Sequence, residues 1–172
     1  MAAKQRRYRG RREPGGRARR AYPSMAAKQK EPGPEFAKEA GRWLGWAQGD
    51  LTTARSNRAD DKVPNRNAAY MAQQSAEKAI KAVVLLENKP FPEIHDIETV
   101  ATLAPADFVN PASRTDLSWL SDLETTSRYP DEGDTVTTED ADRAVELADK
   151  VLAAARDHFV ARGIDPTLFE AG

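Results

Sequence analysis

From Phe36 onward, apolar residues recur at three- and four-residue steps, the period of an amphipathic helix. Phe36, Ala40, Trp43, Leu44, Ala47, Leu51 and Ala54 line one face of a first helix. The stretch 57–67 carries charges, Pro64 and three asparagines and reads as a connecting loop. A second helix is expected over residues 65–87, with the stripe Ala69, Ala72, Ala76, Ala79, Val83 and Leu86. That stripe begins with small residues and ends with large ones. Small residues let a neighbouring helix approach closely, so this helix is the expected central packing element. Gln73, Glu77 and Lys81 stand at i, i+4 and i+8 and read as its wet face, with Glu77 and Lys81 an ordinary helix-stabilising pair.

Asn88-Lys89-Pro90, with Pro92, ends the second helix. A short third helix should follow His95-Asp96, carrying Ile97, Val100 and Leu103. Ser113 and Asp116 have capping-box spacing ahead of Leu117, Leu120 and Leu123, which form a fourth helix stopped by Arg128-Tyr129-Pro130-Asp131. Thr137 and Asp140 repeat that spacing before a fifth helix with the stripe Ala141, Val145, Ala148, Leu152, Ala155 and Phe159. Acidic residues crowd its first turn, as the helix dipole favours. No stretch alternates as a strand would. The pattern predicts an all-α fold, a five-helix up-down bundle over residues 35–162, with an arm at 1–34 before it and a tail at 163–172 after it.

Composition sharpens this picture in three places. The chain has 172 residues, 40% of them hydrophobic, enough for one modest core. No run approaches the roughly 20 apolar residues of a membrane-spanning helix. Cysteine is absent and the two histidines, His95 and His158, are far apart, so no metal centre and no thiol chemistry are expected. The third point is charge. Residues 1–34 hold 11 Lys/Arg against Glu13 and Glu31, a net +9, while residues 35–172 hold 15 basic against 25 acidic residues, a net -10.

The arm is rich in Gly, Pro and Arg and has almost no aliphatic residue larger than alanine. It cannot bury enough apolar surface to offset its chain entropy and is expected to be disordered. Its arginines offer weak, sequence-independent attraction to nucleic-acid phosphates, or simply make a solvated tail. No apolar stretch follows them, so the arm is no secretory signal, and a cytoplasmic location is expected. The pentapeptide Met-Ala-Ala-Lys-Gln occurs at 1–5 and again at 25–29, which makes Met25 an alternative start.

Generic catalytic signatures are missing: there is no Gly-rich phosphate loop, no His-Glu-x-x-His and no nucleophile elbow. What stands out is an ordered series. It runs from Trp43-Leu44-x-x-Ala47-x-x-Asp50-Leu51-x-x-Ala54-Arg55 to Tyr70-Met71-Ala72-Gln73-Gln74-Ser75-Ala76-Glu77-Lys78-Ala79-Ile80-Lys81-Ala82, then His95-Asp96-Ile97 and Ser127-Arg128-Tyr129-Pro130-Asp131. This series closely resembles the HEPN domain family (higher eukaryotes and prokaryotes nucleotide-binding) over residues 36–160.

The resemblance implies a helical bundle, frequently a homodimer, and often the partner of a small nucleotidyltransferase in a prokaryotic toxin–antitoxin pair. Some members are metal-independent ribonucleases; others bind nucleotides without cutting RNA. The ribonuclease branch depends on an Arg followed, after four to six residues, by a His. Here positions 88–90 before His95 are Asn88, Lys89 and Pro90, and positions 151–153 before His158 are Val151, Leu152 and Ala153. Lys89 is the nearest cationic stand-in, but lysine lacks the fork that grips phosphate. The expectation is therefore a non-catalytic HEPN-domain protein that binds a nucleotide or a partner, with no catalytic residue and no cofactor. The alternatives are a ribonuclease with a degenerate site and a dimeric helical adaptor.

The expected nucleotide site comprises His95, Asp96, Arg128 and Tyr129, with Lys78 or Lys81 nearby. The competing local reading makes His95-Asp96 a helix cap, Arg128-Tyr129 a helix terminus, and His158 a partner of its own helix dipole. One outcome follows from the arm alone. A chain shortened to begin at Gly33 should keep the helical circular dichroism and melting temperature of the full chain, and a large loss of either would overturn the disorder assignment.

Overall fold

The computed structural model describes residues 33–89, 95–128 and 136–169, with only the backbone of Pro34 and residues 124–128. Among the described residues, five α-helices follow one another: α1 (Pro34–Ala59), α2 (Asn65–Leu86), α3 (Ile97–Ala101), α4 (Arg114–Arg128) and α5 (Thr138–Ala161). A 3-10 turn, Pro166–Phe169, comes last. No strand occurs among the described residues, and no described helix is long and apolar enough to cross a membrane. Residues 1–32 of the basic arm and Tyr129 lie outside the described residues, as does the side chain of Arg128.

Pro34 opens α1, where its fixed φ suits a first turn and its missing N–H removes no helical bond. The helix takes in the first three residues of the expected loop and ends at Ala59. Its last turn is held from outside: Arg58 donates to Asp142 of α5 at 2.5 and 3.0 Å, and Arg55 donates to Asp149 at 2.7 Å. Residues 57–59 therefore continue the helix, and the loop is confined to 60–64.

Helix α2 packs along α1 and α5 and also meets α3 and α4. Ala69, Ala72, Ala76, Ala79, Val83 and Leu86 are all fully buried, as the stripe requires. Burial does not stop at the stripe, however. Ala68, Ser75, Ala82, Val84 and even Gln73, Glu77 and Lys81 are buried too. The expectation that Gln73, Glu77 and Lys81 form a wet face is wrong: α2 is enclosed on nearly every side, and its polar stripe is covered together with its apolar one.

Helix ends follow the sequence chemistry. Asn88 adopts a φ of 55° after α2, and the N–H groups of Asn88 and Lys89 return to Leu85 and Val84 at 2.9 and 3.2 Å. Asparagine tolerates this left-handed position better than most residues. Asp96 caps α3 by accepting from the Glu98 N–H at 3.1 Å. Ser113 and Asp116 exchange reciprocal bonds at the start of α4, and Thr137 and Asp140 do the same for α5. The Ser113 hydroxyl and N–H, helped by Arg143, hold the Asp116 carboxyl below its ordinary 3.8. In α5 the inward face includes Ala144, Leu147 and Val151 beside the expected stripe, while Val145 is only partly covered.

The close approach of α1 and α5 to the alanine stripe makes one substitution decisive. Ala76→Glu puts a carboxylate without a partner where a methyl group is fully enclosed, costing about 3–5 kcal/mol. Urea unfolding should show this as a large fall in midpoint. A variant as stable as the parent would mean that α2 presents a different face to its neighbours.

Candidate functional site

The buried polar stripe of α2 brings several ionisable groups together beneath the surface and also reaches it. The spacing i, i+4, i+8 stacks Gln73, Glu77 and Lys81 along one line of the helix. Lys81 Nζ donates to Glu77 Oε1 at 2.5 Å, with side-chain exposures of only 5% and 4%. Gln73 Nε2 donates to the other Glu77 oxygen at 3.2 Å, and Gln74 Nε2 donates to Gln73 Oε1 at 2.7 Å. The network is thus continuous over two turns.

Two further elements close around it. Helix α1 brings Trp43, whose ring centroid lies 5.7 Å from Lys81 Nζ, a cation–π distance. Trp46 meets Trp43 edge to face at 5.6 Å and is itself 48% exposed, with the Arg42 guanidinium 5.3 Å from its ring centre. On the other side, the segment entering α3 places His95 Nδ1 3.3 Å from the Glu77 carboxylate. The imidazole is 59% exposed, so it is the point at which the buried network reaches solvent.

Of the residues expected from sequence, His95 and Lys81 are joined through Glu77. Asp96 is adjacent but turned to capping duty, and it also accepts from the Thr99 hydroxyl. Lys78 leaves the network: it pairs with Asp50 of α1, both partly buried. Arg128 is the last residue of α4, with its side chain outside the described residues. Tyr129 also lies outside the described residues. Lys89, the cationic stand-in before His95, donates to the Leu103 carbonyl at 3.2 Å.

The residues that sequence reasoning left out are Glu77 and Trp43. Both stood in the recognised series, but Glu77 was assigned to solvent and Trp43 to the core stripe. A signal was present for Glu77: from Ala76 to Leu86, every position of the helix other than Glu77, Lys78 and Lys81 is Ala, Val, Leu or Ile.

His158 belongs to a separate group at the other end of α2. It is buried, with Nε2 3.1 Å from Glu87 Oε1 and its ring edge-on to Phe108 at 5.7 Å. Arg162 donates to the same Glu87 oxygen at 2.7 Å and to Asp107 at 2.8 Å. The hydrogen bond from Arg162 lowers the Asp107 carboxyl below its usual range, and the same bond raises the guanidinium. This cluster ties α2, α5 and the 104–108 loop together.

A family model described as HEPN domain matches residues 40–158, which include Trp43, Gln73, Glu77, Lys81 and His95. No curated protein and no solved structure matches the chain.

The buried pair carries its own test. Lys81→Met leaves Glu77 enclosed without its ammonium, and Glu77→Leu does the converse; either costs about 3–5 kcal/mol by urea unfolding. The double variant Glu77→Leu/Lys81→Met should recover most of that loss, less the bond that Gln73 forfeits. A double variant no better than the sum of the two singles would show that the charges are not coupled.

Proposed function

This chain belongs to the HEPN domain family, and we propose that it is a non-catalytic member. On this reading it binds the phosphate of a nucleotide at the mouth of the α2 polar network. The observation that carries the reading is the buried Glu77–Lys81 pair opening to solvent through His95. Burying two charges gains little stability over an apolar pair of the same volume, so an ion pair that also reaches the surface fits a binding role.

Charge decides how the work divides. The body outside the arm is net -10, so an incoming phosphate needs local cations to overcome long-range repulsion. Lys78 and Lys81 are engaged by Asp50 and Glu77 and hold the scaffold. His95 and Arg128 are then the groups assigned to the phosphate, Arg128 through two parallel hydrogen bonds from its guanidinium. Tyr129 is assigned to the base, by stacking, and Asp96 orients the His95 segment by capping α3. The absence of an Arg five to seven residues before either histidine argues against the ribonuclease branch.

Family resemblance also supports a small nucleotidyltransferase as the protein partner, in a toxin–antitoxin-type module, and a homodimer as the assembled form. Co-purification with the product of a neighbouring nucleotidyltransferase gene measures the first, and sedimentation of the purified chain measures the second.

Calorimetry of the full chain with ATP and GTP tests the site. His95→Ala and Arg128→Ala should each weaken binding by about 1.5–3 kcal/mol, the scale of a charge-assisted hydrogen bond. No heat at millimolar nucleotide, or unchanged affinity in both variants, would remove the nucleotide site and leave the partner-binding role. RNA cleavage by nuclease-free protein, lost in His95→Ala, would replace the reading with a ribonuclease.

A further inference from the structure

The segment that the sequence marks as a tail is built to return to the bundle. Gly163 ends α5 at a φ of 74°, its N–H bonded to the Val160 carbonyl at 2.9 Å, and the Ile164 N–H reaches the Phe159 carbonyl at 3.0 Å. This is the paired-bond helix terminus that reverses the chain and needs glycine at the left-handed position. Ile164 then packs against the core. Asp165 accepts from the Thr167 N–H at 2.9 Å and hydroxyl at 2.7 Å, which shapes the 3-10 turn Pro166–Phe169.

Phe169 lands on α1, on the side occupied by Gly41 and Gly45. A Cβ at position 41 would collide with the Phe169 ring, and one at 45 with the Phe169 carbonyl oxygen. A third glycine one turn further on, Gly49, has open space where its side chain would be. Glycine is among the poorest helix formers, and α1 carries three of them within nine residues. Two are explained by the ring and carbonyl lying against them.

We propose that residues Gly163–Phe169 form a clasp. They lock the N-terminal half of α1, the part that carries Trp43 and Trp46, through a notch that Gly41 and Gly45 leave for Phe169. The proposal rests on packing alone and stands whether or not the nucleotide site is correct.

The sign of a glycine-to-alanine change provides the test, by thermal melting of the full chain. Gly49→Ala should raise Tm, because alanine favours the helix and meets nothing. Gly41→Ala should lower Tm by roughly 3–8 °C, since the ring must leave. Phe169→Ala should lower it as well, and in that background Gly41→Ala should become stabilising, like Gly49→Ala. Amide exchange over residues 36–45 should be roughly tenfold faster in Phe169→Ala, with α4 unchanged. The clasp is overturned if Gly41→Ala raises Tm in the parent, if its effect has one sign in both backgrounds, or if exchange in α1 does not change.

Discussion

The buried pair between Glu77 and Lys81 constrains everything around it. Two opposite charges on successive turns of one helix are ordinary at a surface, where water screens them and the pair contributes a few tenths of a kcal/mol. Enclosed, they must be held in contact and satisfied on their remaining sides, because a lone buried charge is far costlier than a buried pair. That requirement fixes what α2 can have as neighbours. Gln73 must lie one turn below to bond the second Glu77 oxygen, Trp43 must offer its ring to the ammonium, and the chain entering α3 must bring His95 within reach of the carboxylate. Positions of two separate elements, α1 and the segment entering α3, are thereby tied to one line of α2.

Alanine makes this enclosure feasible. The small side chains at Ala69, Ala72, Ala76 and Ala79 let α1 and α5 approach α2 closely, which leaves room on its remaining side for α3 and α4. The two ends of the central helix are tied down by polar contacts instead. At the start, the Asn65 amide donates to the Val136 carbonyl and the Thr138 hydroxyl at 3.4 and 3.3 Å. At the finish, Glu87 receives both Arg162 and His158. Polar contacts thus fix both ends of α2, through a neutral amide at the start and through charged groups at the finish.

The order of the helices and their caps were legible because both arise from local chemistry. The step of three and four residues locates each helix, and Ser113/Asp116 and Thr137/Asp140 form the reciprocal bonds that their spacing implies. The fate of Gln73, Glu77 and Lys81 was not legible. An i, i+4 Glu–Lys pair looks the same in sequence on a wet helix and on a covered one, and the covering comes from Trp43 and His95, distant in the chain. The end of α1 was misplaced for a related reason, since Arg55 and Arg58 are held by Asp149 and Asp142 roughly one bundle-length of sequence away. Had the glycines at 41 and 45 been read as a notch, they would have called for a partner, and Gly163-Ile164 announces a returning chain. Only the tertiary structure joins those two signals.

The electrostatic arrangement also narrows what chemistry this surface can support. General acid–base catalysis on a phosphodiester wants an imidazole free to move a proton and a fixed cation beside it to take up charge. Here the exposed imidazole faces a carboxylate, and the nearest buried ammonium is already neutralised by that same carboxylate. His158, the other imidazole, is enclosed between Glu87 and Phe108. On the proposed reading, Glu77 is shared between Lys81 and His95 while Asp50 takes Lys78, so the described cations beside the network hold its wall. On the same reading, a ligand phosphate would add a partner to His95 at the rim while Glu77 and Lys81 keep the helix wall behind it in place.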